Sequence, residues 1–370
     1  LSGAGGTENN VNAGTYILSE TSVPGYTAEN WSCTGGTFTA PDKIAVALGE
    51  SATCTINNND QAAHLKLVKQ VSNDNGGTAV ATDFTLSADG PTPLSGKGGA
   101  EDDVSAGKYN LSETNQPGYT ASAWSCTGGI QSGSSVTLAL GESATCTITN
   151  DDIAPKLHLR KVVINDNGGT KTMTDFTLTA NGTGTNDLTG ASPVDSGASL
   201  MADTWALSEA GPTGYSASDW VCQGGTQNGS NITVDIGGEA TCTITNDDIA
   251  PKLHLRKVVK NDNGGTKTAA DFTLTANGTG TNDLTGASPV DSGAGLKADT
   301  WALSETNVYG YSASAWTCVG GSQSGSNITL DVGEEATCTI TNDDQPGTII
   351  IKKNTKPANT GSFGFTTTGS

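Results

Sequence analysis

The sequence is poor in the residues that carry most protein chemistry. Aromatic residues make up 5% and charged residues 15% of 370, with two Met, three His, and 18 Lys and Arg against 38 Asp and Glu. The formal charge of −20 excludes nucleic acid and anionic membrane surfaces as partners, because both need clustered Lys and Arg. No apolar run approaches the roughly 20 residues that a spanning helix needs. No window sustains a 3.6-residue apolar period, so neither membrane insertion nor a helical fold is expected. The opening residues lack a basic segment followed by an apolar one, so they are not themselves an export signal. There is no nucleophile elbow, metal-binding histidine pair, phosphate loop or haem motif, and an enzyme acting on other molecules is not expected.

What is abundant is turn and strand material: 49 Gly in a Thr-, Ser- and Asn-rich chain, the composition of short strands joined by tight turns. It is also repetitive. Residues 156–248 recur almost word for word in the following 96, and looser copies flank them. Cysteines at Cys33, Cys126, Cys222 and Cys318, and lysines at Lys69, Lys161, Lys257 and Lys353, set steps of 92, 93 or 96 residues. A period of domain size means tandem domains. The boundaries read as an incomplete later part of a repeat at 1–60, complete repeats at 61–152, 153–248 and 249–344, and the opening strands of a further repeat at 345–370. Six or seven short alternating segments per repeat predict an all-β fold of small antiparallel, Ig-like β-sandwiches. Joints that read D-D-I-A-P-K, with a proline and no flexible run, predict beads held in a semi-rigid rod.

The eight cysteines fall two per repeat, as W-x-C and then A-T-C-T-I about 20 residues later, without metal-ligand spacing. They predict disulfides Cys33–Cys54, Cys126–Cys146, Cys222–Cys242 and Cys318–Cys338, and with them an oxidising, extracellular location. The tryptophans two residues before the first cysteine of each pair, Trp31, Trp124, Trp220 and Trp316, share its parity. They are expected to pack beside the disulfide rather than form a sugar-stacking face. His64, His158 and His254 fall on the outward face of the first strand and are expected to be solvated.

Three residues break the inward apolar pattern of each complete repeat. They close the runs L-x-L-x-K, Y/W-x-L-x-E and C-x-I-x-N, and are Lys69, Glu113 and Asn150, then Lys161, Glu209 and Asn246, then Lys257, Glu305 and Asn342. A buried lone charge is costly, so the three should meet. The residues alone leave open a Lys–Glu ion pair with a snorkelling lysine or a covalent link.

These motifs, with the run from Gly107 to Tyr119 and the closing T-I-T-N, resemble the prealbumin-like (Cna-B or SpaA-like) repeat domains of bacterial surface proteins, pilins and adhesin stalks. The resemblance spans essentially the whole chain. It implies a structural surface fibre, stalk or filament in which each lysine forms an isopeptide bond with its asparagine, promoted by the glutamate. Across the incomplete ends, Lys353 would meet Glu20 and Asn58 if the final strands were donated to a neighbouring chain. Partners are then copies of the chain or adjoining repeats. The alternative is an adhesin whose repeats bind a glycan or a host or matrix protein. No organic cofactor is expected. Calcium is the one ion the oxygens suggest, at Asp74, Asp166 and Asp262 of the N-D-N-G-G loops with Asp151, Asp152, Asp247 and Asp248 of the joints.

Overall fold

The computed structural model describes residues 2–354, 361 and 363–369. Its contacts resolve into two compact units. One comprises Leu1–Arg160, Leu178–Ser208 and Trp220–Thr243, and the other Lys161–Thr177, Glu209–Asp219 and Ile244–Ser370.

The first complete repeat lies wholly in the first unit and shows how the sequence makes the fold. Its opening strand, Ala63–Ser72, alternates apolar and polar residues, so a period of two puts Ala63, Leu65, Leu67 and Lys69 on the buried face. The closing strand, Ser143–Asp152, buries Ala144, Cys146, Ile148, Asn150 and Asp152 by the same alternation. These two strands pair side by side, with Lys69 opposite Ile148 and Val71 opposite Asn150. Gly99–Val104 flanks the opening strand, while Tyr119–Ala121 and Ser125–Thr127 flank the closing one. A second sheet runs in the order Leu94–Lys97, Thr85–Asp89, Gly107–Glu113, Ser135–Leu138, Ile130–Ser132.

Between the sheets lie Leu65, Leu67, Leu86, Tyr109, Leu111, Val136, Leu138 and Ile148, each 5% exposed or less. Burying each large apolar side chain contributes about 1.5–3 kcal/mol. Trp124 and Cys126 pack into this same core. In the third repeat, within the second unit, the same two five-stranded sheets form around Trp301, whose Nε1 donates to the Asn282 carbonyl at 2.7 Å.

The pairing of opening with closing strand is parallel in both repeats, so the sheet is mixed where an antiparallel sandwich was expected. Alternation of apolar residues reports which face a side chain takes and is silent on strand direction. The parallel arrangement has a mechanical consequence: the chain enters a repeat at one end of this central ladder and leaves at the other.

The N-terminal module keeps only a three-stranded sheet, Gly14–Ile17, Lys43–Val46 and Thr37–Thr39, and two short ladders, Tyr26–Ala28 with Asn58–Asp60 and Ser32–Thr34 with Thr53–Thr55. Among the described residues, 347–354, 361 and 363–369 form no strand.

Candidate functional site: a buried lysine, glutamate and asparagine

Near the end of the opening strand the side chain of Lys69 turns into the core and is completely buried, with Glu113 9% exposed beside it. Its Nζ donates to Glu113 Oε2 at 2.6 Å and to Asn150 Oδ1 at 2.5 Å. The second contact is shorter than the ordinary 2.7–3.2 Å of an N–H···O bond. The three residues therefore meet, and the lysine does not snorkel. The Phe84 ring lies 4.2 Å from Nζ, and Tyr119 meets that ring edge-on at 5.8 Å. Lysine and carboxamide are thus enclosed by an aromatic wall on one side and the sheet on the other.

The second complete repeat builds the same constellation, and the third builds its Lys–Glu part. Lys161 donates to Glu209 at 2.5 Å and to Asn246 Oδ1, with Phe176 4.4 Å from its Nζ. Lys257 donates to Glu305 at 2.5 Å, with Phe272 at 4.3 Å, while Asn342 Oδ1 is buried without a hydrogen-bond partner among the described residues. Burial pushes the ammonium groups of Lys161 and Lys257 below the usual lysine range, opposed by the hydrogen bond and charge of Glu209 and Glu305 respectively. An amine displaced toward its neutral form and held against both a carboxamide and a carboxyl group, as Lys161 is, has the arrangement that amide exchange requires.

At the incomplete ends, Asn58 Nδ2 donates to Glu20 Oε2 at 3.0 Å, and both residues are exposed. Lys353 lies on an exposed segment outside any strand.

All four expected disulfides are present, Cys33–Cys54, Cys126–Cys146, Cys222–Cys242 and Cys318–Cys338, each joining directly opposed residues of neighbouring strands. Trp124, Trp220 and Trp316 are 7–8% exposed, too buried to serve as a stacking face.

The aspartates also gather. Asp74, Asp151 and Asp152 bring carboxylate oxygens within 4.8 Å of one another, as do Asp166, Asp247 and Asp248, and Asp262, Asp343 and Asp344. The negative charge of Asp151 pushes the Asp74 carboxyl above its usual range. As a cation site the fit is partial, because the buried member of each cluster is already engaged. Asp152 accepts the backbone N–H groups of Asp74 and Asn75 at 3.0 Å and of Gly77 at 2.6 Å. Asp248 and Asp344 hold the equivalent loops in the same way. At Asp344 burial acts to raise the carboxyl, and the N–H groups of Gly265 and Asn263 outweigh it, leaving the group below its usual range. The tyrosine that ends the Gly107–Tyr119 run assists: Tyr119 Oη donates to Asn73 at 2.6 Å and accepts from Ala79 N–H at 2.9 Å.

Sequence reasoning missed the role of the histidines. His64 bridges two carboxylates, with Nδ1 2.9 Å from Asp103 and Nε2 3.1 Å from Glu101. His254 lies likewise between Asp291 and Glu335. The signal was the recurrence of acidic residues on the neighbouring strands, which only the register aligns with the histidine.

A sequence model described as a prealbumin-like fold domain matches residues 1–56, 60–148, 152–244 and 248–340. Comparison with curated proteins finds no match. Among solved structures, the chain is similar to the TIE protein of Bacillus anthracis, at 15% identity and a TM-score of 0.46 over 86% of this chain and 58% of that one. It thus spans little more than half of that protein's length. It is also similar to the T-13 major pilin of Streptococcus pyogenes, at 14% identity and a TM-score of 0.26 over 52% of this chain and 98% of the pilin. The two B repeat units of the collagen binding protein of Staphylococcus aureus match at 12% identity and a TM-score of 0.23, over 87% of this chain and 95% of theirs. With four successive matches covering most of its length, the chain belongs to the SpaA-type family of prealbumin-like domains.

Proposed function

We propose that the chain is a load-bearing segment of an extracellular bacterial surface fibre or stalk, and that each complete repeat closes a Lys–Asn isopeptide bond on folding. The observation that carries this is the placement of the triad across the parallel ladder. Lys69 and Asn150, 81 residues apart in sequence, are neighbours close to where the chain leaves the repeat. A bond between them passes tension from the opening strand straight to the closing strand, and residues 70–149 drop out of the force path.

The chemistry balances within the triad. Glu113 takes a proton from the Lys69 ammonium, and the neutral amine attacks Asn150 Cγ. The Nζ–Cγ bond forms, the glutamic acid gives its proton to the carboxamide nitrogen and takes the second Nζ proton, and the C–N bond breaks to release ammonia, which carries that proton away as ammonium. Positioning of this kind contributes about 7–11 kcal/mol of barrier lowering in well-oriented intramolecular reactions.

Against a ligand-binding role stands the state of the groove beside Trp124, lined by Ser122, Ala123, Gln131 and Gly133. The Gln131 side chain there is spent on Cys126 N–H and on the carbonyls of Trp124 and Gly133. Intact-mass measurement of the oxidised chain tests the proposal. The expected result is a deficit of three ammonia molecules, one per complete repeat, and an undiminished mass would overturn the cross-link.

A further inference from the structure

We infer that the N-D-N-G-G loop and the glycine preceding the repeat's tyrosine together form a docking surface whose occupant is the next repeat of the same chain. This goes beyond the cross-link, since it concerns how one repeat grips another rather than how each is closed.

The linker residue is the first part of the grip. Ile153 N–H donates to the Gly118 carbonyl of the first complete repeat at 2.8 Å, and its own carbonyl accepts from Gly237 N–H of the second at 2.7 Å. Ile249 joins Gly214 to Gly333 in the same way, at 2.9 and 2.7 Å. Gln61 does so between Gly25 and Gly141, at 2.8 and 3.0 Å. Glycine is required because the neighbour comes so near: a Cβ at Gly118 would lie 2.5 Å from Ile236, and one at Gly214 2.5 Å from Val332.

The loop is the second part. Ala202 N–H donates to the Asn75 carbonyl at 2.8 Å, and Asn75 Nδ2 reaches the Leu200 carbonyl at 3.3 Å. Ala298 repeats this bond on Asn167, also at 2.8 Å. A Cβ at Gly76 or Gly168 would meet the backbone nitrogen of Ala202 or Ala298 at 2.9 or 3.0 Å. Asp152, by accepting the N–H of Asn75, fixes the loop in the shape that presents its carbonyl outward. The aspartates that resemble ion ligands thus serve a protein contact.

The third repeat supplies an internal control. Gly264 and Gly310 share the φ of Gly168 and Gly214, 93° and 83°, but a Cβ at either meets nothing within 4 Å among the described residues. Backbone strain from alanine is therefore equal in the two pairs, and only the neighbour differs.

The test is limited proteolysis of the full chain within residues 247–252, comparing Gly168→Ala/Gly214→Ala with Gly264→Ala/Gly310→Ala. At least tenfold faster cleavage in the first pair and no change in the second is expected. Equal behaviour of the two pairs would overturn the inference. Should the first pair fail to fold, hydrogen exchange on the unaltered chain decides: the amides of Ala202, Gly237, Ala298 and Gly333 should be protected, and exchange at the rate of free loop amides would overturn it. Intact mass read on the same samples reports the isopeptide bond separately, so either idea can fail alone.

Discussion

The N-terminal module and the first complete repeat carry nearly the same text, G-x-Y-x-L-S-E-T with P-G-Y-T-A, then W-S-C-T-G-G and L-G-E-S-A-T-C-T-I, yet they are different physical objects. Tyr119 is 9% exposed and its counterpart Tyr26 44%. Asn150 is 1% exposed, while Asn58 lies in solvent. The disulfide forms in both. Among the described residues the module's closing strand Asn58–Asp60 pairs with Tyr26–Ala28 and with no equivalent of Ala63–Ser72. Disulfide closure is a local event between adjacent strands, whereas burial of the glutamate and asparagine depends on a strand some 80 residues away.

Removing the promoter of the cross-link should separate the two most. Glu113→Gln is expected to restore the mass of one ammonia and to leave Lys69 buried without its counter-charge, a loss of about 3–5 kcal/mol. Under force the first repeat, still oxidised, should then release about 61 residues, the 81 between Lys69 and Asn150 less the 20 held by the disulfide, or roughly 200 Å at about 3.4 Å per residue. Glu20→Gln should change neither mass nor extension. If both substitutions behave alike, the triad is not a reacting centre.

Core truncation gives a smaller contrast. Leu111, 5% exposed, and Leu18, only half-buried, occupy equivalent positions. Leu111→Ala should cost about 2–5 kcal/mol in chemical denaturation, and Leu18→Ala at most about 1 kcal/mol, because little cavity can form where solvent already reaches. Reduction sharpens the same point. Cys146 is fully buried and Cys54 is not, so mild thiol should open Cys33–Cys54 first, as read by alkylation and mass. Each closure of about 20 residues is worth about 3 kcal/mol in the loop-entropy account.

Much of this was legible in the sequence and some was not, for identifiable reasons. Alternation placed Lys69, Glu113 and Asn150 inward because side-chain direction in a strand has a period of two. The cysteine pairing followed from an even count at a fixed spacing. Strand direction left no mark, so the parallel ladder was unexpected. The oxygens of N-D-N-G-G are visible in sequence, while the backbone N–H groups that Asp152 accepts are not. His64 read as solvated because its carboxylate partners sit 37 and 39 residues away on a strand whose register only folding sets.

That histidine gives the smallest contrast and one whose sign is determined. Hydrogen bonds to Asp103 and then Glu101 raise the His64 pKa above its ordinary 6.5, and Lys66 shares Glu101 at 2.8 Å. A base with a raised folded-state pKa contributes stability that is fully present below its unfolded value and is lost as pH rises through its folded value. The first complete repeat should therefore lose a little stability between about pH 6 and 8, by an amount that rising salt reduces because the group is exposed. The N-terminal module has no histidine and should be flat across that range. His64→Gln should flatten the first repeat as well. A slope of the opposite sign would mean that the imidazole is held neutral between the two carboxylates, and that they face it for packing rather than for charge.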